Sequence, residues 1–160
     1  MFLKFLAVAP LIVFGLQSQS LLKPSAIQHA TAATSITPDV VAPGGKTTLV
    51  LDVTPDRNIH VYAPGAKDFI ATSVKMTAKS GVTFGTATYP TSEMILDPIL
   101  NERIPEYTKT FRITQPVTVS TKSPSGESIS MTGVLTYQAC DDKMCFAPSE
   151  LPLQWTVRVK

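Results

Sequence analysis

The two cysteines of the chain, Cys140 and Cys145, stand five positions apart in Gln138-Ala139-Cys140-Asp141-Asp142-Lys143-Met144-Cys145-Phe146-Ala147-Pro148. A disulfide requires Cα atoms within about 7 Å, whereas an extended segment would hold these two more than about 15 Å apart. The loop must therefore curl, and Asp141-Asp142-Lys143 suits a turn. So short a ring constrains the unfolded chain little: the chain-entropy model gives it roughly 2 kcal/mol, against about 4 to 5 for a bridge across a hundred residues. A staple for stability would join distant strands instead. A small ring that opens without unfolding its domain points to thiol–disulfide exchange, with a non-catalytic immunoglobulin-like binding module whose ring is purely structural as the alternative. Flanking charge acts both ways, because Asp141 and Asp142 disfavour a thiolate and Lys143 favours it.

Other chemistries have less to work with. Cys140, Cys145, His60, Met94 and Met144 form a soft donor set that would suit Cu(I), which makes a copper chaperone the third reading. Zinc would lack a fourth ligand, as His29 falls ahead of the domain. His60 alternates with Ile59 and Val61 and reads as a surface strand histidine. The chain has no Gly-x-Ser-x-Gly, no His-Glu-x-x-His and no Gly-rich phosphate loop, so hydrolysis and nucleotide chemistry have no footing. No metal site and no cofactor are assigned, since sulfur itself would carry the redox step.

The elements that must position these sulfurs are strands. In residues 47–54, after the turn Pro43-Gly44-Gly45, Leu49, Leu51 and Val53 alternate with Thr48, Val50 and Asp52, and residues 59–63 alternate again up to Pro64-Gly65. Short strands follow around Val74 and Met76 and at 82–84, then at 107–114 and 116–121. Ile129, Met131, Gly133, Leu135 and Tyr137 share one face of the next. The last is the most regular, with Leu151, Leu153, Trp155, Val157 and Val159 on one face and Pro152 hinting at an edge. Seven or eight short strands with turns between them predict an all-β, immunoglobulin-like antiparallel sandwich. Residues 89–105 break the rhythm. They read as a long cap-like loop carrying Met94, Ile95, Leu96, Ile99 and Leu100, with Asp97-Pro98 able to start one helical turn.

The domain sits behind an export segment. Lys4 precedes the apolar run 5–16, which is too short for a membrane anchor and is interrupted by Pro10. Residues 1–32 are read as signal peptide and tail, with cleavage after Ser20 or Ala32, and residues 33–160 as the domain. No later stretch is apolar and long enough to span a bilayer, so the mature chain is expected outside the cytoplasmic membrane, where disulfides persist. The chain carries 14 Lys and Arg against 12 Asp and Glu, and the excess leaves with Lys4 and Lys23. A neutral mature protein without basic clustering gives no footprint for nucleic acid.

Taken together, Tyr137-Gln138-Ala139-Cys140 through Cys145 and Pro148 resemble the amino-terminal periplasmic domain of the thiol:disulfide interchange protein DsbD. Weaker parallels are Pro43-Gly44-Gly45, His60-Val61-Tyr62-Ala63-Pro64-Gly65 and Tyr89-Pro90. The resemblance implies an immunoglobulin-like fold and a protein-disulfide reductase type of thiol:disulfide oxidoreductase. Electrons would arrive from a thioredoxin-like donor linked to the membrane and leave to a periplasmic disulfide isomerase or another thioredoxin-fold acceptor. It implies Cys145 as the sulfur that forms mixed disulfides and Cys140 as the one that resolves them. Tyr62, Tyr137, Asp141, Lys143 and Phe146 would flank them, and residues 89–105 would be the shielding cap. That segment holds no Phe to lie over the sulfurs, so Ile95, Leu96 or Ile99 would take its part. The long form of the family also carries membrane helices and a thioredoxin-like domain; the expectation for this chain is a stand-alone module that would meet its donor by diffusion.

Overall fold

The computed structural model describes residues 27–97 and 101–160. The described strands are β1 (Ala30–Thr37), β2 (Val40–Val41), β3 (Lys46–Pro55), β4 (His60–Tyr62), β5 (Ser73–Met76) and β6 (Val82–Phe84), followed by β7 (Glu93–Asp97), β8 (Glu102–Tyr107), β9 (Phe111–Val119), β10 (Ser128–Tyr137), β11 (Ala139–Cys140) and β12 (Ser149–Val159). They form three four-stranded sheets, β1-β3-β9-β6, β2-β12-β10-β5 and β11-β4-β8-β7. Pairing is antiparallel except for the short contact of β2 with the end of β12. Among the described residues there is no helix, and the fold is the all-β, immunoglobulin-like sandwich that the alternation predicts.

Period-two patterning decides which faces meet. In β12 every second residue from Ser149 to Val159 is buried, and β10 alternates likewise. Leu49, Leu51, Val53, Ile113 and Val117 of the first sheet pack against Met131, Leu135, Leu153, Trp155 and Val157 of the second. The Trp155 indole N–H donates to the Val50 carbonyl at 3.1 Å, so its one polar atom stays satisfied across the core.

Three expectations need correction. Residues 107–114 and 116–121 are not two strands: Tyr107 ends β8, and β9 runs unbroken through Pro116. Pro116 is tolerated because it lies between the last β6 partner, Phe84↔Val117, and the isolated bridge Thr88↔Thr114, where no ladder donor is demanded of it. Its carbonyl still accepts from Gly85 N–H at 2.8 Å. Residues 89–105 are not an irregular loop either, since β7 and β8 pair from Glu93↔Glu106 to Asp97↔Glu102 as a hairpin. The helical turn proposed from Asp97-Pro98 falls at 98–100, outside the described residues. Finally, β1 was not foreseen; it pairs with β3 over its whole length from Ala30, which is buried, so ordered chain begins ahead of residue 33.

Candidate functional site

Cys140 and Cys145 form a disulfide with Cα atoms 4.0 Å apart. The curl is made by Asp141, whose Oδ1 accepts from the N–H groups of Lys143 and Met144, both at 2.8 Å, while its own N–H donates to the Met144 carbonyl at 3.0 Å. Those donors, the first being Lys143 N–H, hold the Asp141 carboxyl below its usual range. Beyond the ring, Phe146 N–H donates to the Ala139 carbonyl at 2.9 Å and closes the hairpin neck. The two sulfur-bearing residues differ in access: Cys140 is 1% exposed, whereas Cys145 lies open to solvent on the turn.

Register gathers the rest. Directly paired residues share a face of a sheet, and alternate positions return to it. From Cys140↔His60, Tyr62↔Glu106 and Ile95↔Ile104, one face of the third sheet carries Cys140, His60, Tyr62, Glu106, Ile104, Ile95 and Asp97. The opposite face, with Ala139, Val61 and Tyr107, joins the main core. The site is thus the outer side of a sheet whose inner side is anchored.

Tyr62 occupies the centre of that face. Its hydroxyl lies 3.3 Å from Cys140 Sγ and 3.4 Å from Cys145 Sγ, and as the only O–H present it donates to the disulfide. Burial, together with the charges of Glu106 and Asp97, pushes its pKa up to about 12, which keeps it a donor through physiological pH. Phe69 stacks on the Tyr62 ring with centroids 4.0 Å apart. The segment bearing Phe69 turns at Gly65, where φ is +101° and glycine meets no steric penalty. It then returns so that Thr72 bonds the Tyr62 carbonyl through both N–H and hydroxyl, each at 2.7 Å. Gln138 joins this segment to the cysteine hairpin. Its Oε1 accepts from Ile70 N–H at 3.1 Å, and its amide donates to the Phe146 carbonyl at 3.3 Å.

Behind Tyr62 lies a buried acid. Glu106 is 4% exposed, and its Oε2 is 3.7 Å from His60 Nε2. Burial, then the charge of Asp97, pushes the Glu106 carboxyl up to about 7. Burial also lowers the His60 imidazole, and the opposing pull of Asp142, Asp97 and Asp141 does not overcome it.

Several residues read from the sequence are placed elsewhere. Tyr137 packs in the main core rather than in the cluster of Tyr62 and Cys140. Its hydroxyl is buried there and, among the described residues, makes no hydrogen bond of ordinary geometry. Lys143 shapes the ring through its backbone N–H, with its side chain in solvent. Phe146 stacks face to face on His29, centroids 3.7 Å apart, so that histidine belongs to the ordered structure beside the site. In the hairpin, Leu96 is 51% exposed on the far face, and Ile95 stands beside Ile104 on the site face. Ile104, Phe69 and Ala66 are the apolar residues packed with Tyr62 and Cys140, and Ile99 lies outside the described residues. Sequence reading missed Phe69, Ile104, Glu106 and Gln138. Only Gln138 left a signal, in the Tyr-Gln-x-Cys run. Among the described residues, no three His, Cys, Asp or Glu side chains are grouped to hold a metal ion.

Comparison with known proteins bears on this geometry. The family profile described as thiol:disulfide interchange protein DsbD, N-terminal, matches residues 28–153. The N-terminal periplasmic domain of ScsB from Proteus mirabilis superposes with a TM-score of 0.50 at 15% identity, covering 80% of this chain and 46% of that one. A variant of BcpA, the major pilin subunit of Bacillus cereus, gives a TM-score of 0.50 at 11% identity over 81% of this chain and 40% of that one. The chain therefore spans less than half the length of these structures, and at such identities they share its fold alone. No curated protein matches it in sequence.

Proposed function

The chain belongs to the family of the N-terminal domain of the thiol:disulfide interchange protein DsbD, and from that premise we propose that it is a periplasmic module relaying electrons through Cys140 and Cys145. The observation that carries the reading is the asymmetry of the pair: one sulfur exposed on a turn, the other buried under a hydroxyl donor. A thiolate from a thioredoxin-fold partner attacks Cys145 Sγ, the partner–Cys145 bond forms, and the electron pair of the broken bond goes to Cys140 Sγ. Tyr62 donates to the sulfur that receives this charge. In the reverse direction Cys140 resolves the mixed disulfide. The donor is a thioredoxin-like domain linked to the membrane, and the acceptors are periplasmic disulfide isomerases or related thioredoxin-fold proteins.

The hairpin β7–β8 acts as the cap, with Ile104 and Ile95 on its site face, and Phe69 supplies the aromatic cover from a different segment. Export is completed by cleavage after Ser20, because cleavage after Ala32 would remove His29 from Phe146 and the buried Ala30 from the fold. The reduction potential of the pair tests the relay, measured by equilibration in dithiothreitol buffers with the alkylated fraction followed by mass. A value between about −180 and −270 mV, the span of exchange proteins, is expected; one below about −300 mV marks a structural ring and sinks the relay.

A further inference from the structure

Glu106 has no part in the exchange step as written, yet it is a buried carboxyl on the face that carries Cys140. Its surroundings are acidic. Across the hairpin its register partner is Glu93, which is held by Lys109 at 3.6 Å and by the Thr108 hydroxyl at 3.4 Å. Asp97 acts on Glu106, Tyr62 and His60 alike, and from the cysteine ring Asp141 and Asp142 act on His60. From β4 come Tyr62, a neutral donor, and His60, the basic group in contact with Glu106. Negative charge is thus concentrated where opening the disulfide must place one more.

The balance of that step is explicit. A thiol reductant as thiolate forms a bond to Cys145 Sγ and is oxidised to the disulfide level, the Cys140–Cys145 bond breaks, and Cys140 Sγ is reduced and left as a thiolate. A buried thiolate and a buried carboxylate on one face repel through a medium of low effective dielectric. We propose that Glu106, paired with His60, is a positioning residue for charge: its neutral form permits the thiolate to emerge at Cys140, and its ionised form opposes it. This rests on the exchange reading and adds proton coupling to it. Because burial brings Glu106 into titration near neutrality, the coupling operates within the pH range of a working envelope.

The test follows opening of the oxidised, purified protein by dithiothreitol in a stopped-flow instrument, with rate constants expressed per thiolate from pH 5.5 to 9. For the wild type the constant should fall about fivefold as pH rises through about 7. Glu106→Gln should stay flat, at the wild-type low-pH level, because the amide cannot ionise. A flat wild-type profile, or a variant that keeps the fall, overturns the proposal. Should the variant misfold, the carboxyl carbon of Glu106 is followed by NMR in the wild type. A midpoint shared with the rate profile supports the proposal, and titration in the ordinary carboxyl range overturns it. Failure of dithiothreitol to open the bond at all would remove the exchange reading and this inference with it, whereas opening with a flat profile removes this inference alone.

Discussion

Ten consecutive pairs join β10 to β12, from Ser128↔Arg158 to Tyr137↔Ser149, whereas β4 meets β11 and β8 through two pairs each. The first region buries Met131, Leu135, Leu153, Trp155 and Val157; the second buries Cys140, Tyr62 and Glu106. Apolar side chains gain by leaving water whatever their neighbours, but a sulfur, a phenol and a carboxyl need partners at specified distances. Stability can therefore be spread along a long ladder, while chemistry occupies a short one that is held from behind through Ala139, Val61 and Tyr107.

The sharpest way to break this contrast is Cys145→Ser. Exchange with any thiol should drop below detection, while the unfolding free energy falls by no more than roughly 2 kcal/mol, the share of the ring. A large fall in stability would mean that the site sheet carries the fold after all. Trp155→Ala is the converse experiment. It should cost about 3–5 kcal/mol in denaturant unfolding, yet leave the alkylation pattern of the reduced, still folded fraction unchanged.

Acidity separates the regions next. Glu106 has its folded-state pKa raised to about 7 from an ordinary 4.5, so its protonated form stabilises the fold fully below pH 4.5, and that stability is lost as pH rises through 7. His60, lowered by burial, acts in the opposite sense, so the informative quantity is the difference between wild type and Glu106→Gln. Unfolding free energies at pH 5 and pH 8 should show the wild type losing about 2 kcal/mol relative to the variant. The smallest expected effect is that of Tyr62→Phe, which keeps the stack on Phe69 and removes the donor to the sulfurs. Opening by dithiothreitol should slow about fivefold, the value of one hydrogen bond of about 1 kcal/mol, with stability nearly unchanged; an unaltered rate would show that the hydroxyl does not attend the leaving sulfur.

Legibility in the sequence followed the same division. β10 and β12 announce themselves through alternation sustained over ten residues or more, and β3 through Leu49, Leu51 and Val53. β1, Ala-Thr-Ala-Ala-Thr-Ser-Ile-Thr, does not, because small residues such as Ala30 and Ala32 can line a core without standing out against Ser and Thr. The hairpin was hidden by Met94-Ile95-Leu96, three consecutive apolar residues in a strand whose two faces are both largely exposed. At the site, the cysteine spacing and the Tyr62 segment were readable. Glu106, Ile104 and Phe69 were not, because strand pairing brings the first two, and the turn at Gly65 brings the third, to the face that carries Cys140, a residue more than thirty positions away in sequence. Local pattern cannot encode such a meeting; a buried carboxyl looks like any other strand glutamate until its neighbours are placed.

One residue, Gln138, separates β10 from β11, so Cys140 continues directly from a strand that is paired on both sides, with β12 and with β5. Amide hydrogens along β10 and at Cys140 should then exchange with deuterium only through global unfolding, while those at Asp142 and Cys145 exchange through local fluctuations. The disulfide thus links a slowly exchanging strand to a readily exchanging turn. Its reduction frees the turn and leaves Cys140 in register, ready to reclose the ring without a search.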